Sequence, residues 1–333
     1  MWSVIAAPPL PQRRVGSLQV LVAGLVVVAL AASTVRAFVA GNHSLSTAGT
    51  VFCGVFVQAL PFLGLGVVVS GLIAVFVSPD RLARWLPRRT GVAILAAAAG
   101  GAALPGCECG SVPVARRLFS DGPAGAAALT FMLAAPAINP VVLVATAVAF
   151  PGQPAVVVAR CVASLVTAII MGALWSQWGR TDWITRRLPA SPSIATSKWT
   201  AFSEAARHDF LQAASYLVLG AAAAAVLHVM VPAAVFGHLA GHLVLGVVTM
   251  ALLAVVLALC SEADAFVASS LTMLPLLPRL VFLVVGPAVD VKLFAMQAGM
   301  FGRAFAVRFA PATFVVATVV GTVVGLLLLG GAR

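Results

Sequence analysis

Phe131-Met-Leu-Ala-Ala-Pro-Ala-Ile-Asn139 returns 151 positions later as Phe282-Leu-Val-Val-Gly-Pro-Ala-Val-Asp290. The same interval carries Cys109-Gly-Ser-Val-Pro113 onto Cys260-Ser-Glu-Ala-Asp264. Cys109/Cys260, Phe131/Phe282, Pro136/Pro287 and Asn139/Asp290 align at one spacing without a gap, a coincidence that Ala/Val-rich sequence rarely produces. Upstream, Gln58-Ala-Leu-Pro-Phe-Leu-Gly-Leu-Gly66 is echoed by Gln212-Ala-Ala-Ser-Tyr-Leu-Val-Leu-Gly220. The chain reads as two homologous halves, 48–178 and 209–333, joined by a basic cytoplasmic linker, 179–208. A tail and one extra apolar helix, within 1–47, precede them.

The halves belong in a membrane. Of 333 residues, 62% are hydrophobic and 9% charged, against about 25% charged in a soluble domain. Apolar runs at 18–35, 48–77, 125–150, 154–178, 209–231 and 311–330 match the roughly 20 residues that span a bilayer as helix. A membrane β-barrel would show short alternating segments. The expected class is an all-α polytopic protein of the cytoplasmic membrane. Leu18–Val35 is longer than the apolar core of a signal peptide, so an uncleaved first span is expected. The net charge of +11 comes without a basic aromatic motif, which speaks for Lys and Arg held at the cytoplasmic face and against nucleic acid. Five cysteines scattered through apolar segments do not make a secreted disulfide framework. No Gly-x4-Gly-Lys-Ser/Thr motif provides for ATP, and the sequence calls for no cofactor and no resident metal.

Charge also orients the halves. Residues 91–104 form a short apolar run that stops at Pro105-Gly106 and is soon followed by Arg116-Arg117. If this run and 241–270 enter the membrane and return as re-entrant hairpins, 15 of the 20 Lys and Arg face the cytoplasm and three face outward. If both runs cross fully, the five basic residues of 180–207 change sides and the bias vanishes. The positive-inside rule favours the hairpins. Each half then crosses three times, so the halves are inverted. Inverted repeats with broken helices mark secondary transporters, whose sites lie near the midplane. A duplicated structural membrane protein is the bland alternative.

Pro105-Gly-Cys-Glu-Cys-Gly-Ser-Val-Pro113 places two thiols and a carboxylate in a helix break, where freed backbone groups need a protein-lined cavity. Soft thiolates at Cys107 and Cys109 favour thiophilic species. Cys53 and Cys161, mid-helix without polar company, read as apolar filler. The matching break, Cys260-Ser-Glu-Ala-Asp264, adds a third thiol with Glu262 and Asp264, and ionisable groups at such depth tend to mark pathways or proton relays. Pro136, Pro140 and Pro287 interrupt the crossing helices, and Asn139 and Asp290 offer oxygens where the ladder opens. Asp290, two residues before Lys292, is the leading candidate for proton coupling, with a structural Asp–Lys pair as the alternative. Arg160 either neutralises a carboxylate or snorkels to the interface. His238 and His242 lie four apart without an acidic companion and read as interfacial.

Cys107-Glu-Cys109-Gly, Ala134-Ala-Pro-Ala-Ile-Asn-Pro140, Cys260-Ser-Glu-Ala-Asp264 and Gly286-Pro-Ala-Val-Asp290 together, over about residues 48–330, resemble the predicted permease family of bacteria, which includes the trivalent organoarsenical efflux permeases. Many members carry Ser where this chain has Glu108. The resemblance implies a permease; the thiols add a thiophilic preference. The expected activity is proton-coupled export of a thiophilic solute, bound by Cys107, Glu108, Cys109, Cys260 and Asn139, with Glu262, Asp264 and Asp290 exchanging protons. A soft or divalent metal ion such as zinc is the alternative cargo. A membrane thiol oxidoreductase, disfavoured by the lack of Cys-x-x-Cys, and a scaffold subunit are the alternatives outside transport. Expected partners are the bilayer and the solute, with a homo-oligomer left open.

Overall fold

The computed structural model describes residues 42–76, 89–103, 108–119, 123–184, 198–230, 243–272 and 274–330. The extra N-terminal helix, Pro105, Gly106, Cys107, His238 and His242 lie outside the described residues. Thr50–Arg333 form one compact unit and Met1–Gly49 another. In the latter, Asn42 Oδ1 accepts from the amides of Ser44 and Leu45 at 3.1 and 3.3 Å and starts the first helix.

Twelve α-helices and a 3-10 turn, Thr181–Trp183, make up the described structure, without a strand. They are α1 (His43–Phe76), α2 (Thr90–Ala103), α3 (Glu108–Leu118), α4 (Pro123–Ile138), α5 (Pro140–Ala149) and α6 (Pro154–Trp178) in the first half. The second half holds α7 (Lys198–Met230), α8 (Leu243–Leu257), α9 (Ala263–Ser270), α10 (Leu276–Val285), α11 (Val291–Met300) and α12 (Arg303–Leu329). Each helix of the first half has its counterpart six places on. Ser44–Val69, Ala124–Ala149, Pro154–Trp178 and Arg303–Leu329 are long and apolar enough to cross a membrane, and this is a multi-pass α-helical membrane protein.

Short helices mark where the chain turns inside the bundle. At 11 residues, α3 reaches about 16 Å, roughly half the hydrocarbon core. Ile94, near the start of α2, lies against Gly172 of α6, and Phe119, just past α3, stacks edge-on against Trp175 of α6. Between them Gly101 and Ser111 both meet the far end of α4, at Ala134 and Met132. So α2 goes in and α3 comes back to the same end: a re-entrant hairpin. The equivalent long helices α6 and α12 run antiparallel, since Phe305 and Phe309 in the first turns of α12 pack on Trp175 in the last turn of α6. The two halves are therefore inverted.

In the second half α8 and α9 are the counterparts of the α2–α3 hairpin. Each hairpin packs on its own half, on α4 or α10, and its short helix also reaches across to the other half. α3 packs on α11, and α9 packs on α5, while α6 and α12 form the central contact. Glycine sets the distance at two places. A Cβ at Gly66 of α1 would collide with the backbone of Gly110, and one at Gly220 of α7 would stand 2.7 Å from Lys292 Cα. One end of the bundle is closed by Phe119, Trp175, Phe301, Phe305 and Phe309, with Arg116 over the Phe301 ring. There Arg116 Nε donates to the Met300 carbonyl at 2.8 Å, and Arg117 makes two 3.0 Å bonds to Asp209. The Phe150–Arg279 contact lies at the other end.

Candidate functional site

The two capped breaks show why the chain opens where it does. Pro140 has no N–H to offer the Pro136 carbonyl, so α4 ends and α5 begins. Asn139 fills the gap on both sides: its Oδ1 accepts from Val142 N at 3.0 Å and its Nδ2 donates to Ala135 O at 2.9 Å. In the second half Asp290, with extended backbone, caps α11 by accepting from Leu293 N. Pro136 lies within α4, whereas Pro287 lies in the turn that ends α10. Asn139 and Asp290 thus hold equivalent N-cap positions.

The break before α9 is built differently. Ala258 has φ of 47°, a left-handed conformation that L-residues adopt at a cost of about 1–2 kcal/mol. Its carbonyl faces Lys292 Nζ at 3.4 Å. Lys292, on the first turn of α11, donates to Glu108 Oε1 at the start of α3 and stands 3.7 Å from Asp290 Oδ2. Arg160, wholly buried on α6, donates to Asp264 Oδ2 at 3.0 Å, to the Ser261 carbonyl at 2.9 Å and to Thr146 Oγ1 at 2.7 Å. Ser261 Oγ donates to Glu108 Oε2 at 3.2 Å. Lys292, Glu108, Ser261, Arg160, Asp264 and Thr146 thus form one continuous buried network. The Lys292–Glu108 and Arg160–Asp264 ion pairs each join one half to the other.

The thiols border this network. Cys109, the second residue of α3 and next to Glu108, and Cys260, next to Ser261, are both buried. Cys260 Sγ donates to Glu262 Oε2 at 3.0 Å. Glu262 Oε1, Asp264 Oδ1, Arg160 Nε and Ser164 Oγ are buried with no hydrogen-bond partner. Four carboxylates, Glu108, Glu262, Asp264 and Asp290, face two cations, Arg160 and Lys292. A predominantly apolar cavity of about 350 Å³, lined by Leu252, Val255, Phe294, Pro311 and Phe314, reaches Asp290 from the side. Among the described residues no group of three or more His, Cys, Asp or Glu is placed to hold a metal ion.

Glu108, Cys109, Cys260, Glu262, Asp264 and Asp290 come together around Lys292 and Arg160, and Cys107 lies outside the described residues. Asn139 caps α5. Cys53 is exposed, and Cys161, next to Arg160 in the chain, is half-buried. Sequence reasoning passed over Ser261, the joint between the two ion pairs, and Thr146. It noted Lys292 only as a neighbour of Asp290 and left the partner of Arg160 open. The available signal was a basic residue inside an apolar run, which requires a buried counter-charge.

The family described as "Predicted permease" matches residues 43–326. UPF0718 protein YcgR of Bacillus subtilis (strain 168) is 34% identical over 264 residues, covering 77% of this chain and 89% of that protein. A protein of Streptococcus mutans, provisionally named a two-component membrane permease complex subunit, is 30% identical over 284 residues, covering 83% of this chain and 94% of that protein. No solved structure matches the chain.

Proposed function

The chain belongs to the predicted permease family, and from that premise we propose that it is a secondary-active exporter of a thiophilic solute held where the two inverted halves meet. One observation carries this reading: Cys109 and Cys260, from opposite halves, are buried beside the two ends of the Glu108–Ser261 hydrogen bond that joins the halves. Thiolates bind soft centres. Because the two thiols ride on different halves, relative motion of the halves would change the site's grip as access alternates. The excess of carboxylates over cations supports proton exchange by Glu262, Asp264 or Asp290. Basic residues Arg116, Arg117, Arg303 and Arg308 at the aromatic end support a cytoplasmic assignment for that end. The name of the streptococcal relative supports a second protein component, which co-purification with the chain would reveal.

Transport into everted membrane vesicles, measured for a trivalent organoarsenical, zinc and copper, tests the reading. Uptake of the arsenical that requires a pH gradient and is lost in Cys109→Ser and Cys260→Ser supports it. Uptake of zinc alone, unaffected by either substitution, contradicts it and favours the divalent-ion alternative.

A further inference from the structure

Three acids of the second half sit within this network, and their oxygens are used differently. Asp264 is ion-paired to Arg160. Asp290 caps α11 and faces Lys292. Glu262 occupies the N-cap position of α9, but its carboxylate makes no capping bond. Oε2 accepts instead from the Cys260 thiol at 3.0 Å, and Oε1 has no partner. Among these three acids only Glu262 has its side chain committed to a thiol.

A buried thiol is a poor ligand, because the reactive species is the thiolate and apolar surroundings oppose ionisation. A general base must lie within about 2.6–3.2 Å of the proton it takes, and Glu262 meets that condition for Cys260. The charged surroundings act on what happens next. Glu108 on α3, Asp264 on α9 and Asp290 at the start of α11 oppose a further negative charge, and only Arg160 on α6 and Lys292 on α11 offset them. A proton kept on Glu262 lessens that excess of negative charge, while the sulfur bonded to a cationic centre adds none.

We propose that Glu262 is the proton acceptor for Cys260, so that capture of a thiophilic solute loads one proton into the permease in the same step. This rests on the thiol-site reading above. The Cys260 S–H bond breaks, the sulfur lone pair forms the bond to the soft centre, and a neutral water ligand or a weakly basic anion such as chloride leaves that centre. The proton passes to Glu262 Oε2. On release the steps reverse: the carboxyl returns its proton to sulfur as the sulfur–solute bond breaks. Asp264 and Asp290 hold the frame in which this exchange occurs.

The test counts protons. In the full-length detergent-purified protein with Cys53, Cys107, Cys109 and Cys161 replaced by serine, Cys260 is the sole thiol. Phenylmercury(II) chloride is added in weakly buffered, chloride-containing solution near neutral pH, with binding followed by mass spectrometry and proton release by an indicator dye. The Cys260-only protein is expected to bind one mercurial and release almost no proton, whereas Glu262→Gln in the same background releases about one per mercurial. Glu262→Asp should restore retention. Release of a full proton by the protein that still carries Glu262 overturns the proposal, whatever the variants do. Mercurial uptake with equal release in both proteins overturns the acceptor role and leaves the thiol site standing. No uptake by the Cys260-only protein removes the thiol-site reading, and the acceptor role with it.

Discussion

The two re-entrant hairpins occupy equivalent places and deliver the same kind of group, yet their charges are secured differently. The first brings Glu108 to Lys292, a cation that also has Asp290 at 3.7 Å and the Ala258 carbonyl within reach. The second brings Asp264 to Arg160, which grips Thr146 and the Ser261 carbonyl as well. In both cases the hairpin supplies the acid and the opposite half supplies the base. Lys292 serves two carboxylates, Glu108 and Asp290, whereas Arg160 is ion-paired to Asp264 alone. The second pair thus reads as the fixed joint between halves and the first as the adjustable one.

Unequal losses should follow. Breaking a buried ion pair by removing one partner costs about 3–5 kcal/mol, because the remaining charge is left without compensation. Arg160→Met should lie at the top of that range, since Asp264 then keeps no cation. Glu108→Gln should lie at or below its bottom, because Asp290 remains beside Lys292. Melting of the purified variants in detergent gives the order, and a larger loss for Glu108→Gln would reverse the assignment of joint and adjustable pair.

The comparison is sharpened by moving a helix instead of a charge. Gly220→Val places a side chain against the backbone of Lys292, and overpacking of this kind costs about 1–3 kcal/mol. Because α11 must shift, thiophile transport should fall further than in Gly220→Ala, while the Arg160–Asp264 joint is undisturbed. Vesicle uptake set beside melting temperature separates the two effects. Transport at the wild-type level in both variants would show that the position of α11 is not critical.

The capped breaks give the smallest effect. Asp290→Ala should lose about 0.5–2 kcal/mol relative to Asp290→Asn, because Asn caps as well as Asp and Ala does not; Asn139 performs that role in the other half. Thermal melting of the pair of variants decides it, and equal stabilities would remove the cap from the account.

The repeat, the breaks and the acids were legible because each is written locally: Pro136, Pro140 and Pro287 interrupt helices, and Asn139 and Asp290 fall one repeat apart. The helix ends at Asn139 and Asp290 followed from the same local chemistry. The joining of the halves was not legible. Glu108 and Lys292 are 184 positions apart and Arg160 and Asp264 are 104 apart, and nothing near either residue announces its partner. Their meeting depends on α3 docking on α11 and α9 on α5, a consequence of inverted symmetry in three dimensions. Ser261 escaped notice for a related reason. It replaces Gly110 of the first half, and its hydroxyl matters only because Glu108 arrives from the opposite hairpin.

The central claim is that the first hairpin is bound to the second half through one buried charge pair. A double-mutant cycle on Glu108→Gln and Lys292→Gln, read as unfolding free energy in detergent, tests it most directly. Residues in contact couple by about 0.5–3 kcal/mol, while independent sites add to within about 0.5 kcal/mol. The account predicts that the double variant is more stable than the sum of the single losses allows, by at least about 1 kcal/mol. Strict additivity of the two substitutions would contradict it.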